Sequence, residues 1–123
     1  MLILCHSLVK RELKPLRHYF SLISLREAAR KAQSGLGEDL SSPLPNSKAV
    51  KVYLTSRSGA GRVVFLLFLS SGDCIPVILR LKKDKEIGEN MSMKNERFKK
   101  LLAQNVRYAI EDIALNNYEE LDI

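Results

Sequence analysis

Tryptophan is absent, and the chain of 123 residues holds only two cysteines and two histidines. Cys5 and Cys74 are too few and too far apart for a disulfide framework or a thiolate metal site, so each is expected as a small buried apolar residue. His6 and His18 belong to no Cys/His cluster with zinc spacing, and a lone histidine in a basic segment is expected on the surface or in packing. The longest uninterrupted apolar run, Val63 to Leu69, is far short of a membrane span. The opening MLILC lacks the basic region and the length of a secretory signal and is expected as a strand. A reducing, cytoplasmic setting fits. No GxxxxGK[ST] run supports a phosphate-binding P-loop, no GxSxG marks a nucleophile elbow, and no second basic helix follows a short turn. An aromatic stacking platform is also missing. Metal and cofactor chemistry are therefore not expected, and neither is a membrane partner.

What is present centres on Lys48 to Lys82. Lys48 to Thr55 alternates, with Val50, Val52 and Leu54 on one side and Lys51, Tyr53 and Thr55 on the other, the period of a strand with one buried face. Ser56 to Gly61 (SRSGAG) reads as a turn. Val63 to Leu69 (VVFLLFL) reads as a central strand covered on both faces. After the SSGD turn, Ile75, Val77, Leu79 and Leu81 alternate against Pro76, Ile78 and Arg80. Such short connections require antiparallel pairing, a meander. If the seven aliphatic side chains of the outer strands face the core, Lys51, Tyr53, Arg80 and Lys82 share an open face. Arg62 joins or leaves it according to the register. That face would be cationic with one aromatic.

Before the meander, Leu2 to Ser7 reads as a short strand, with Ser7 placed to cap the segment after it. Val9 to Tyr19 is amphipathic and interrupted by Pro15, which should bend or restart it. Ser21 or Ser24 can cap a second helix through LREAARKAQ, which stops at Ser34-Gly35. The two segments form an α-hairpin over one side of the sheet, and Gly35 to Ser47 is expected as a loop. After the charged run KKDKEIGEN, Ser92 can cap an amphipathic helix that reaches about Leu115. Glu111 and Asp112 have the wrong sign for its C-terminal dipole, so something else must hold that end or it frays. Asn116 to Ile123 is expected as an acidic tail.

Charge is uneven. The net is +6, and residues 111–123 contain five acids and no Lys or Arg, so removing that −5 leaves +11 on residues 1–110. A body this basic points to nucleic acid or an acidic protein partner. The tail is expected to shield the cationic face.

One strand, an α-hairpin, a loop and three antiparallel strands, in that order, form an arrangement that resembles the RelE/ParE toxin superfamily of toxin–antitoxin pairs. The residues that carry it are the basic helical segment KRELKPLRHYFSLISL, the lysine that leads KAVKVYL, the glycine–arginine opening of GAGRVVFLLFL, and VILRLKKDKEIGENMS with the helix after it. The resemblance spans about residues 2 to 103. It implies an α+β fold, β-α-α-β-β-β with the strand and hairpin packed on an antiparallel sheet, plus a C-terminal helix, as one domain over residues 1–123.

The resemblance also implies a function: an endoribonuclease that cuts messenger RNA in the ribosomal decoding site. Such cleavage passes through attack of a ribose 2′-hydroxyl on the adjacent phosphate and needs a base, cations and an acid. Carried over by position, Lys48 or Lys51 would be the base, while Arg62 and Arg80 would stabilise the phosphate. Lys82, Lys83 and Lys85 would hold RNA backbone, with Lys48 and Arg57 alongside. Family members often place a Tyr or His after the last strand; here LKKDKEIG stands there, and Tyr53 could substitute. Glu86 or Glu89 is a further acid–base candidate. An acidic antitoxin, messenger RNA and the ribosome are the implied partners, with no small-molecule cofactor. Two other readings remain open: a ParE-like protein that binds gyrase and cuts nothing, and an inactive basic RNA-binding relative.

Overall fold

The computed structural model describes residues 1–56, 59–88 and 90–123. Six strands, β1 (Leu2–Cys5), β2 (Glu38–Leu40), β3 (Ser47–Ser56), β4 (Gly59–Phe68), β5 (Cys74–Leu81) and β6 (Tyr118–Leu121), form one sheet in the order β2-β3-β4-β5-β1-β6. The class is α+β, as expected, but the sheet is mixed. β2, β3, β4 and β5 are antiparallel neighbours, whereas β1 lies parallel to β5, with Leu2 opposite Cys74. A parallel pair requires a long crossover, and the helical hairpin and three intervening strands supply one. Two strands extend the expected set. Residues 35–47, expected as a loop, contain β2, and the expected acidic tail contains β6, which pairs antiparallel with β1 from Leu2–Leu121 to Cys5–Tyr118.

Helices cover both faces. After β1 the chain runs through α1 (His6–Leu8), a π-helix (Val9–Leu13) and a 3-10 turn (Lys14–Leu16). Pro15, in the first turn of that last piece, breaks the run as its missing N–H demands. α2 (Leu22–Gln33) starts at Ser21, whose side chain accepts from the Ser24 N–H at 3.1 Å, and ends before Gly35, at φ 80°. α3 (Glu96–Ala114) starts at Asn95 rather than at Ser92, and the Asn95 side chain accepts from the Arg97 N–H at 3.0 Å.

The sheet thus divides two cores. Leu2, Leu4, Val50, Val52, Leu54, Val63, Phe65, Leu67 and Leu79 pack under Phe20 and the α2 residues Leu25, Ala28, Ala29 and Ala32. Ile3, Cys5, Ala49, Val64, Leu66, Ile75, Val77 and Ile78 pack under Phe98, Leu102, Val106 and Ala109 of α3. Both cysteines are free and buried, and burial pushes their thiols up to about 12 for Cys5 and about 11 for Cys74.

β5 departs from simple alternation. Val64 pairs with Ile78 while Phe65 pairs with Pro76, so Val77 is an extra residue, a β-bulge. The bulge turns Ile75 and Val77 toward α3 and Leu79 toward the hairpin; the four aliphatics of β5 do not share one face.

The end of α3 does not fray. The Asp112 carboxylate accepts from the N–H and the hydroxyl of Ser7, each at 2.9 Å, so a misplaced charge on one helix serves the positive end of another segment. Ser7 is therefore a donor to Asp112; the cap position belongs to Cys5, which makes no side-chain cap.

Gly61 sits against the Phe20 ring so closely that a Cβ there would overlap it. Gly61→Ala is expected to destabilise the fold by about 1–3 kcal/mol through overpacking. Urea unfolding measures this, and adding Phe20→Leu is expected to recover part of the loss.

Candidate functional site

The strand register answers the question that the sequence leaves open for Arg62. Tyr53 pairs with Arg62, and Arg62 pairs with Arg80, so the three lie in one row across β3, β4 and β5. Arg62 also lies on the α3 side of the sheet, because its neighbours Val63 and Val64 point to the hairpin core and the α3 core in turn. Tyr53 is 56% exposed, and the Arg62 guanidinium lies 5.2 Å from its ring centroid, a cation–π contact.

The two arginines are held differently. Like charges directly opposite in a sheet repel. Arg80 is neutralised from below: its Nη1 donates to the Glu12 carboxylate, and Asp84 lies 3.8 Å from its Nε. Arg62 has no carboxylate partner among the described residues. Its Nη1 donates to the Gly88 carbonyl at 2.9 Å, and its buried Nε has no hydrogen-bond partner among the described residues.

The face that holds this row is not open, which corrects the sequence expectation. α3 covers one end of it, and Ile87 and Met91 from the segment after β5 pack into the same core. Lys51 is only 6% exposed as a result. Its Nζ donates to the Met91 carbonyl at 3.0 Å and pairs with Glu38 at 2.9 Å, tying β3 to β2 and to that segment. Lys48 is separated from the row: it shares the strand parity of Val50 and Val52 on the hairpin side, and it pairs with Asp39 at 3.5 Å. Lys82, Lys83, Lys85 and Glu86 are exposed in the turn after β5. Arg57 and Glu89 lie outside the described residues. His6 and His18 are exposed. β6 lies at the β1 edge of the sheet, so the acidic C-terminal residues do not shield the row.

Glu12 is the site residue that the sequence hides. It stands in KRELK as one acid among cations and reads as part of a solvated face, yet it is 4% exposed. By helical spacing it falls on the apolar side instead, four residues after buried Leu8 and four before Leu16, so its charge and not its position is what hides it. Glu12 Oε1 accepts from the Leu79 N–H at 2.9 Å, and the buried Asn105 amide donates to the Val77 carbonyl at 2.7 Å. Two side chains from two helices thus satisfy the backbone of β5 where the bulge disturbs it. Burial raises the Glu12 carboxyl above its ordinary value; the Arg80 guanidinium and the Leu79 N–H oppose that shift without cancelling it. A cavity of about 350 Å³ beside this cluster is lined by Arg11, Glu12, Arg80, Lys83, Asp84 and Glu86.

Chemically, the row and its neighbour combine an exposed phenol, two guanidiniums and a carboxyl of raised pKa. That set can bind a phosphodiester and stabilise charge that develops on it. No protein-family model matches the chain, and no curated protein or solved structure is significantly similar to it.

Because the folded carboxyl of Glu12 titrates above the unfolded one, its contribution favours the fold fully below the ordinary glutamate value of 4.5. That contribution is lost as pH rises through the raised folded value. Urea melts across the acidic to neutral range are expected to show this decline in the wild type. Glu12→Gln is expected to flatten that component while lowering stability at neutral pH, since it leaves Arg80 without its buried counter-charge.

Proposed function

We propose that the chain is an endoribonuclease toxin of the RelE kind, cutting messenger RNA on the ribosome by attack of the 2′-hydroxyl on the adjacent phosphate. The observation that carries this reading is the opposition of Arg62 and Arg80 beside an exposed Tyr53. The two residues are direct cross-strand neighbours, and since Glu12 neutralises Arg80 alone, the Arg62 charge is left for an anion, of which a phosphate fits its planar fork.

Arg62 is the primary phosphate ligand, being free of any carboxylate among the described residues while its Nη1 is fixed by Gly88. Arg80 is oriented by Glu12 and supports the same charge. Tyr53 offers its ring to a base on the exposed side. The burial of Lys51 moves it from proton exchange to positioning: it anchors the strand that presents Tyr53. Glu86, exposed and lining the cavity that also contains Arg80, is the carboxylate left for proton transfer. The basic body of the protein favours RNA and an acidic antitoxin partner alike.

A ParE-like reading, gyrase binding without cleavage, draws on one specific fact: Lys51 and Arg80 both sit in internal ion pairs. The two readings separate in one experiment. Primer extension on a defined messenger in a purified translation system is expected to show cuts within the decoding-site codon. Arg62→Ala is expected to reduce them by about 10²-fold or more. An intact messenger in the presence of folded wild-type protein would overturn the nuclease reading, and gyrase pull-down then tests the alternative.

A further inference from the structure

Two surface cavities flank the turn after β5, and they share a wall. The first, beside Glu12, is lined by Arg11, Arg80, Lys83 and Glu86 among others. The second, about 390 Å³, is lined by Glu86, Arg97, Lys100, Leu101 and Gln104. Glu86 belongs to both. On the helix side a second contact joins them: the Arg11 guanidinium lies 4.2 Å over the Tyr108 ring, and the Tyr108 hydroxyl accepts from Gln104 Nε2 at 2.9 Å. Arg97, Leu101, Gln104 and Tyr108 follow one another at steps of four, three and four residues, with Lys100 three after Arg97 and four before Gln104, a single stripe along α3. That stripe is about 16 Å long.

The charges along this trough are unequal in availability. Glu12 is engaged by Arg80 and the Leu79 N–H, and Asp84 accepts from the N–H groups of Ile87 and Gly88. Arg11, Lys83, Arg97 and Lys100 form no salt bridge among the described residues, whereas the neighbouring Lys99 pairs with Glu96. Four cations are thus open along a groove whose exposed acid, among the described residues, is Glu86. Arg80 belongs both to this groove and to the row with Arg62.

We propose that the trough carries the phosphodiester backbone of single-stranded RNA as it leaves the Tyr53–Arg62–Arg80 row, an inference that rests on the nuclease reading of that row. Arg11, its guanidinium 4.2 Å from the Tyr108 ring centroid and without a salt bridge among the described residues, is a planar fork suited to phosphate. A helical peptide would need a row of apolar anchors, and the α3 half of the trough offers Leu101 alone.

The test is anisotropy of a labelled, unstructured 12-nucleotide RNA bound to the full chain over a range of salt. Arg97→Ala with Lys100→Ala is expected to weaken binding about tenfold at low salt. It is also expected to reduce the slope of log K against log [salt] by about 1.4, since each single-strand phosphate contact contributes about 0.7. Arg30→Ala with Lys31→Ala, exposed on α2, is the matched control and is expected to change neither. Circular dichroism melts confirm that both variants fold. Unchanged affinity and slope in the α3 variant overturn the trough while leaving Arg62-dependent cleavage, read in the translation assay, intact. Absent RNA binding by the wild type, or a polyglutamate peptide bound with the same dependence on Arg97 and Lys100, overturns it as well. Trough-dependent RNA binding without any cleavage overturns the nuclease reading instead.

Discussion

Val63 to Leu67 is buried on both sides, and that constraint organises the molecule. A strand apolar on both faces must be covered twice. The hairpin supplies one layer through the small residues Ala28, Ala29 and Ala32, which let α2 approach the sheet closely. α3 supplies the other through Phe98, Leu102 and Val106. Covering the second face removes most of it from solvent, burying Lys51 and leaving Tyr53 exposed at the end of the row that it shares with Arg62 and Arg80. The location of the candidate site follows from the hydrophobicity of the strand behind it.

The bulge at Val77 is the second determinant. By inserting one residue into β5 it turns Leu79 toward the hairpin core and leaves Arg80 opposite Arg62 on the far side. It also disturbs the backbone on the side of β5 away from β4. Glu12 and Asn105 answer that disturbance with side-chain hydrogen bonds, and the same Glu12 neutralises Arg80. A repair of the sheet and the electrostatics of the row are thus one structure. An ion pair this buried contributes little net stability against an apolar replacement. What the pair supplies is a fixed orientation for Arg80.

The charge pattern of the C-terminal half has a similar double use. Asp112, unfavourable at the end of its own helix, holds Ser7 at the start of the hairpin, and β6 then closes the β1 edge. Glu119 and Glu120 on that edge strand discourage pairing with another chain, a common protection of exposed edges. The acids that make the protein's charge uneven are therefore structural at one edge, away from the Tyr53–Arg62–Arg80 row.

Local periodicity by itself determined much of this protein. The alternation in Lys48 to Thr55 and the unbroken Val63 to Leu69 run define β3 and β4 because side chains alternate across a strand whatever surrounds it. The three- and four-residue steps from Phe98 to Ile113 define α3 for the corresponding helical reason, and the two short turns require the antiparallel meander. Even the sharing of one face by Lys51, Tyr53 and Arg62 needed only a register without slippage between β3 and β4, whereas Arg80 joins them through the bulged register of β5. Only the tertiary structure decided whether that face met water. Nothing local in residues 96–114 states which side of the sheet the helix covers, so the burial of Lys51 was invisible. Glu12 was hidden by its charge, because its helical position between Leu8 and Leu16 is apolar while its partners, Leu79 and Arg80, follow a bulge 65 residues later in the chain. β6 was hidden because a four-residue acidic strand forms only when β1 offers it an edge. Periods belong to single elements; exposure and pairing belong to the contacts between them.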